Sequence, residues 1–211
     1  MKTEDLIASL AADPTPPHRP AALKATALAA AVAVTLAGFA AVLGLRHDLH
    51  TALGTWAFAA KLAILVSAFV AAVLAARLSM NPLVERPWPR IATAVAAAIF
   101  LASVGLEVAS YPVSAWGPRL VGDYGVVCLV SIALLAAAPL AAILWIMRDG
   151  APRSPGLAGA AAGATAGTLA ATVYANHCTN DSAFYVMAWY LTGIMIVSAA
   201  GALAGRRWLA W

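Results

Sequence analysis

Charge is what this sequence has least of. Lys, Arg, Asp and Glu make up 10% of its 211 residues, against roughly 25% in soluble domains. With 63% hydrophobic residues and a mean hydropathy of +0.85, a chain this short cannot hide its apolar surface in a soluble globule. It is also too apolar for intrinsic disorder. A soluble cytosolic enzyme is excluded. Cysteine is scarce too: Cys128 and Cys178 stand alone, with no CxxC. That removes a disulfide framework and the motif a quinone-coupled disulfide oxidase would need. There is no Gly-rich phosphate loop, no HExxH zinc motif and no nucleophile elbow. No His lies deep in an apolar run, which disfavours intramembrane haem. The expectation is a non-enzyme without a resident cofactor, open at most to a transient metal.

Long apolar runs are what the chain has in abundance. Six are read as spans: Ala22–Leu45, Gly54–Ala76, Ile91–Ser110, Gly122–Met147, Gly156–Ala175 and Phe184–Gly205. Each reaches the ~20 residues that cross a bilayer as a helix, and barrel strands would alternate over about 10 residues instead. Trp56, Trp88, Trp116, Trp189, Trp208 and Trp211 fall near run ends, where interfacial anchors belong. The fold class is therefore all-α, a polytopic bundle of six transmembrane helices. Residues 1–21 form an N-terminal segment, 22–205 the membrane domain and 206–211 a tail. Pro139 should kink the fourth span. Gly159, Gly163 and Gly167, like Gly201 and Gly205, recur every four residues. Such faces serve packing within the bundle or, alternatively, a homodimer.

The basic residues orient the spans. Ten Lys and Arg fall in the N-terminus, the second and fourth loops and the tail, and only Arg46 and Arg119 on the opposite side. Both termini should then be cytoplasmic. The same bias accounts for the net charge of +4 without invoking direct nucleic-acid binding. The first run is too long, and too far from the start, for a cleaved signal sequence.

In the N-terminal segment Thr3 can cap a helix, and Glu4 and Asp5 suit its positive end. Leu6, Ile7 and Leu10 fall on one face, before Asp13-Pro14-Thr15-Pro16-Pro17 stops the helix and makes a stiff spacer. So short a helix is marginal alone in water. It either lies on the membrane or fits a groove in a cytosolic protein. Glu4 and Asp5 argue mildly against anionic lipid.

On the outer side, Lys61 lies about 10 Å inside its span at 1.5 Å per residue. Glu107 sits at similar depth, so the two can pair or snorkel separately. Cys128 and Cys178 share the outer third. They can be buried thiols, a disulfide pair, a redox sensor or, with His177, a soft-metal site. His47-x-x-His50 reads as a solvated loop. A small-solute or metal transporter would use Lys61 and Glu107 along its path, but the central thirds of the spans lack the midplane polar residues transporters show.

Several segments also resemble the NrsF-like proteins, negative regulators of the sigma factor SigF in proteobacteria. They are Met1-Lys2-Thr3-Glu4-Asp5-Leu6-Ile7, the Cys128 span, Arg148-Asp149-Gly150-Ala151-Pro152, Tyr174-Ala175-Asn176-His177-Cys178, Asp181-Ser182 and Gly205-Arg206-Arg207. The resemblance covers the whole chain; Thr179 stands where the family carries Pro. It implies an anti-sigma factor of the bacterial inner membrane. The N-terminal segment (Glu4, Asp5, Leu6, Ile7, Leu10) would hold an extracytoplasmic-function sigma factor away from RNA polymerase. Cys128 and Cys178 would serve in sensing metal or oxidative stress.

Overall fold

The computed structural model describes residues 3–12, 19–80 and 86–210. Among them every regular element is helical: α1 (Thr3–Ala12), α2 (Ala21–Val42), α3 (Leu49–Ala52), α4 (Trp56–Ser79), α5 (Trp88–Ser110), α6 (Val113–Val121), α7 (Gly125–Met147), α8 (Pro155–Tyr174) and α9 (Ala183–Trp208). Six of these, α2, α4, α5, α7, α8 and α9, are long and apolar enough to cross a membrane. Their ends agree with the sequence-read runs to within three residues. The two short helices α3 and α6 fall in stretches the sequence reads as connections: α3 has only four residues, and α6 carries Gly117 and Pro118 in its interior. The Pro-rich spacer lies outside the described residues.

Local chemistry sets the boundaries. Thr55 caps α4 by accepting from the Phe58 N–H, and Ser154 caps α8, with Pro155 in the first helical position. Pro139 sits inside α7 without ending it. A proline there cannot donate to the Leu135 carbonyl one turn earlier. The Thr35 hydroxyl of α2 donates to that carbonyl instead, at 3.0 Å, so the proline fixes α2 against α7. The first turns of α9 include a π-helical stretch, Val186–Tyr190.

The centre of the bundle is α8, which packs against α9, α4 and α7. Its sequence explains why: Gly159, Gly163 and Gly167 line one face. A Cβ on Gly159 would press into the Gly201 carbonyl, and one on Gly205 into the Pro155 carbonyl. The backbones of α8 and α9 thus meet where only glycine fits. Both glycine faces are spent on each other within one chain, so the homodimer reading loses the surface it rested on. At the periphery, α5 packs on α4 and the start of α9, and α2 packs mainly on α7.

Candidate functional site

The chain's buried charge gathers at the end of the bundle away from the termini, around the connection between α8 and α9. Asp181 in that connection is the hub. Its carboxylate accepts from the Arg46 Nη1 at 2.9 Å and from the Lys61 Nζ at 3.1 Å. Arg46 turns its Nε and Nη2 to the two oxygens of Asp48, at 2.7 and 2.8 Å. Lys61 is 1% exposed, and its ammonium also donates to the Cys178 and Asn180 carbonyls at 2.9 and 3.0 Å. All three of its donors are therefore used, which is the condition for a charge to persist where water cannot reach it. Phe58 lies under the Arg46 guanidinium and Tyr190 near the Lys61 ammonium. The Asp48 hydrogen bond raises the pKa of Arg46, with Asp181 adding to it, and Arg46 in turn holds Asp48 down at about 2.

Beside this hub, Glu107 of α5 forms a second closed set. It accepts from the Arg119 Nε at 2.6 Å, the Ser182 hydroxyl, and the backbone N–H groups of Ala183 and Phe184. Those N–H groups open α9, so the carboxylate fills the role of a helix cap supplied by another helix. The expected Lys61–Glu107 pair does not form. Each charge meets the α8–α9 connection first, Lys61 through Asp181 and Glu107 through the start of α9. Both still line one small cavity with Arg119 and Asp181. Outside it an open cleft of about 590 Å³ is bordered by Arg119, Gly122, Asp123, Asn180 and Asp181. Its floor is stitched to α9: the Tyr185 hydroxyl donates to the Asp123 carbonyl and the Trp189 ring N–H to the Val121 carbonyl. Gly122 has φ +52, and a Cβ there would stand 2.6 Å from the Tyr185 ring.

Cys128 and Cys178 are both buried, both free thiols, and both part of one core cluster with Tyr174, Tyr185 and Tyr190. The structure thus brings them into the same cluster, directly beneath the charge network, to which Cys178 lends its carbonyl. His177 turns elsewhere: its Nδ1 is 3.1 Å from the Gly44 carbonyl, and its ring packs on Tyr174. Among the described residues no group of three or more His, Cys, Asp or Glu side chains is arranged to hold a metal, so the Cys128–Cys178–His177 set does not assemble as a metal centre here.

Sequence reasoning missed the roles of Arg46, Asp48, Arg119 and Asp181. A signal was present. Arg46 and Arg119 are the two cations that break the charge asymmetry: Arg119 neutralises the buried Glu107, and Arg46, itself buried, pairs with Asp48 and Asp181.

At the opposite end Asp149, just after α7, takes Arg19 (Nη1 to Oδ1, 2.9 Å) and Lys24 (2.9 Å) together. The Lys24 hydrogen bond, then Arg19, lowers the Asp149 pKa. Arg19 also donates to the Trp145 carbonyl and stacks on the Trp145 ring. This clamp holds the chain where it leaves the N-terminal segment. In α1, Glu4, Asp5 and Ile7 are exposed, Ile7 by 61%. The side chains of Leu6 and Leu10 lie outside the described residues.

Comparison with known proteins covers both ends. The family described as negative regulator of sigma F, NrsF, matches residues 9–211. The probable anti-sigma-F factor NrsF of Azospira oryzae is 36% identical, and the anti-sigma-F factor NrsF of Caulobacter vibrioides 32%. Both alignments span the full length of both chains. No solved structure matches significantly. By sequence over nearly its whole length, the chain belongs to the NrsF family of negative regulators of sigma F.

Proposed function

We propose that this protein is an anti-sigma factor embedded in the bacterial inner membrane with both termini in the cytoplasm. Its N-terminal segment holds an extracytoplasmic-function sigma factor, and a stress signal received at the distal end releases it. The observation that carries this reading is the full-length likeness to two anti-sigma-F factors. Support for the binding segment comes from α1, whose described side chains are all exposed. Glu4 and Asp5 suit a basic surface that a sigma factor otherwise turns to polymerase or DNA. Leu6, Ile7 and Leu10 supply the apolar anchors of a helix laid in a groove.

Coupling between the ends runs through α2. Arg46 follows its distal end and is bonded to Asp181; Lys24 begins its proximal end and is bonded to Asp149. A change at Cys128 and Cys178 would act on this rod through the α8–α9 connection. Two-electron oxidation by a peroxide would join the sulfurs, with two thiol protons and the peroxide leaving as two waters. A thiophilic metal bridging the thiolates would draw α7 and that connection together similarly. A packed bundle transmits such a change when it has two arrangements close in free energy, and about 1.4 kcal/mol changes their ratio tenfold. The transporter alternative is not favoured: Lys61 and Glu107 are each closed off by their own partners instead of lining a path.

The test is co-purification of candidate sigma factors with the full chain and with a chain lacking residues 1–12. Leu6→Glu or Leu10→Glu should weaken binding roughly 30-fold, as expected for loss of an anchor near 2 kcal/mol. Undiminished binding by the truncated chain would overturn the assignment to α1.

A further inference from the structure

Two apolar grooves of similar size run along the bundle, and they differ at their mouths. One, about 420 Å³, lies among α4, α5, α8 and α9 and has no charged side chain in its lining. The other, about 360 Å³, separates α2 from α4 and has α7 and α8 as its floor. Its walls include Leu28, Val32, Phe69 and Val73, and at the proximal end Lys24 and Arg77 close it. We propose that this second groove binds an anionic phospholipid, one acyl chain along α2 and the phosphate between Lys24 and Arg77. The proposal rests on reading the six long helices as membrane spans.

The dimensions fit. From Lys24 to Val32 is eight residues of α2, about 12 Å at 1.5 Å per residue, enough for a substantial part of an acyl chain. Lys24 lies in the first turn of α2 and Arg77 in the last turn of α4, so both cations stand at one end, at the depth of a headgroup. The charge fits as well. Arg19 and Lys24 share the single carboxylate of Asp149, which leaves one positive charge uncompensated there. Among the described residues no acid pairs with Arg77. That excess is what an anionic headgroup would neutralise.

The apolar walls alone select nothing, because lipid tails are as apolar as the groove. Selection must come from the mouth, and it separates anionic from zwitterionic lipid. A regulatory consequence follows. A phosphate on Lys24 competes with Asp149 for the same ammonium, so bound lipid would leave the Asp149 carboxylate to Arg19 alone and tie α2 less closely to the end of α7.

Native mass spectrometry of the full chain in detergent, with equal amounts of phosphatidylglycerol and phosphatidylcholine, tests this. Phosphatidylglycerol should be retained preferentially. Arg77→Gln, at an exposed position, should cut that preference about fivefold, the value of one basic residue near a membrane surface. Ala25→Trp should fill the groove and lower retention while helical content stays unchanged. Inorganic phosphate should fail to displace the lipid. Equal retention of the two lipids, an unchanged preference in Arg77→Gln, or displacement by phosphate would each overturn the proposal. Retention appearing only after removal of residues 1–12 would assign the groove to α1 and overturn it too. Failure of the membrane reading has a different signature: the chain would stay soluble without detergent.

Discussion

The two ends of this bundle use the same side-chain chemistry under opposite conditions. At the distal end Lys61 and Glu107 are each 1% exposed and Arg46 8%; the two cations donate to carboxylates and backbone carbonyls, and Glu107 accepts from Arg119, the Ser182 hydroxyl and two backbone N–H groups. At the proximal end Arg19 and Lys24, with side chains 29% and 27% exposed, share the one carboxylate of Asp149. Depth decides what each set is worth. The two shared carboxylates are about equally buried, 13% exposed for Asp149 and 15% for Asp181. A buried cation that loses its partner, however, cannot fall back on water, whereas part-exposed Arg19 and Lys24 can. The distal set is therefore a fixed joint, and the proximal set a catch that opens at little cost. On the proposed function this is a workable division, since the end that would hold the partner has to let go.

Breaking the joint should have the largest effect. Asp181→Asn leaves Lys61 and Arg46 without their shared carboxylate and should cost about 3 kcal/mol or more, read from unfolding in mixed micelles. A loss below about 1 kcal/mol would mean the distal charges reach water after all. Next in size is the glycine seam between α8 and α9. Gly201→Ala puts a methyl into the Gly159 carbonyl and should destabilise by about 1–3 kcal/mol. Gly38→Ala on α2 meets nothing within 4 Å and should be neutral or stabilising by up to about 1 kcal/mol. Asp149→Asn should cost about 1 kcal/mol or less, yet raise proteolysis near Arg19 severalfold. Equal losses at Asp149 and Asp181 would erase the contrast between the ends.

The smallest effect is that of pH. Asp48 is depressed in the folded state, so its contribution is complete above its ordinary value of 3.8 and disappears as pH falls through about 2. Asp149 is shifted in the same direction. Acid titration followed by NMR should show the Asp48 carboxylate changing in that window while the bundle stays folded.

How much of this was legible in the sequence follows from which interactions are local. Run length and hydropathy belong to contiguous residues, so all six long helices could be read, as could Pro139 and the glycine faces. The partners of those features are non-local. That Thr35 answers Pro139, that α8 and α9 consume each other's glycines, and that Glu107 caps α9 depend on which helices become neighbours. Depth alone suggested pairing Lys61 with Glu107; the fold placed the α8–α9 connection between them. The two thiols were expected at one level and do share a cluster, but Cys178's part in the charge network runs through its carbonyl, which every residue has.

The measurement that bears most directly on the central claim is a transplant. Residues 1–20 would be fused to an unrelated membrane anchor, and binding of the cognate sigma factor compared with binding by the full chain. If the N-terminal segment is the holding element, the fusion should bind within about tenfold of the full chain, a difference of about 1.4 kcal/mol, and Leu6→Glu should weaken that binding roughly 30-fold. A fusion that binds nothing while the full chain binds tightly would contradict it, and would place the sigma-binding surface on the loops and tail of the bundle.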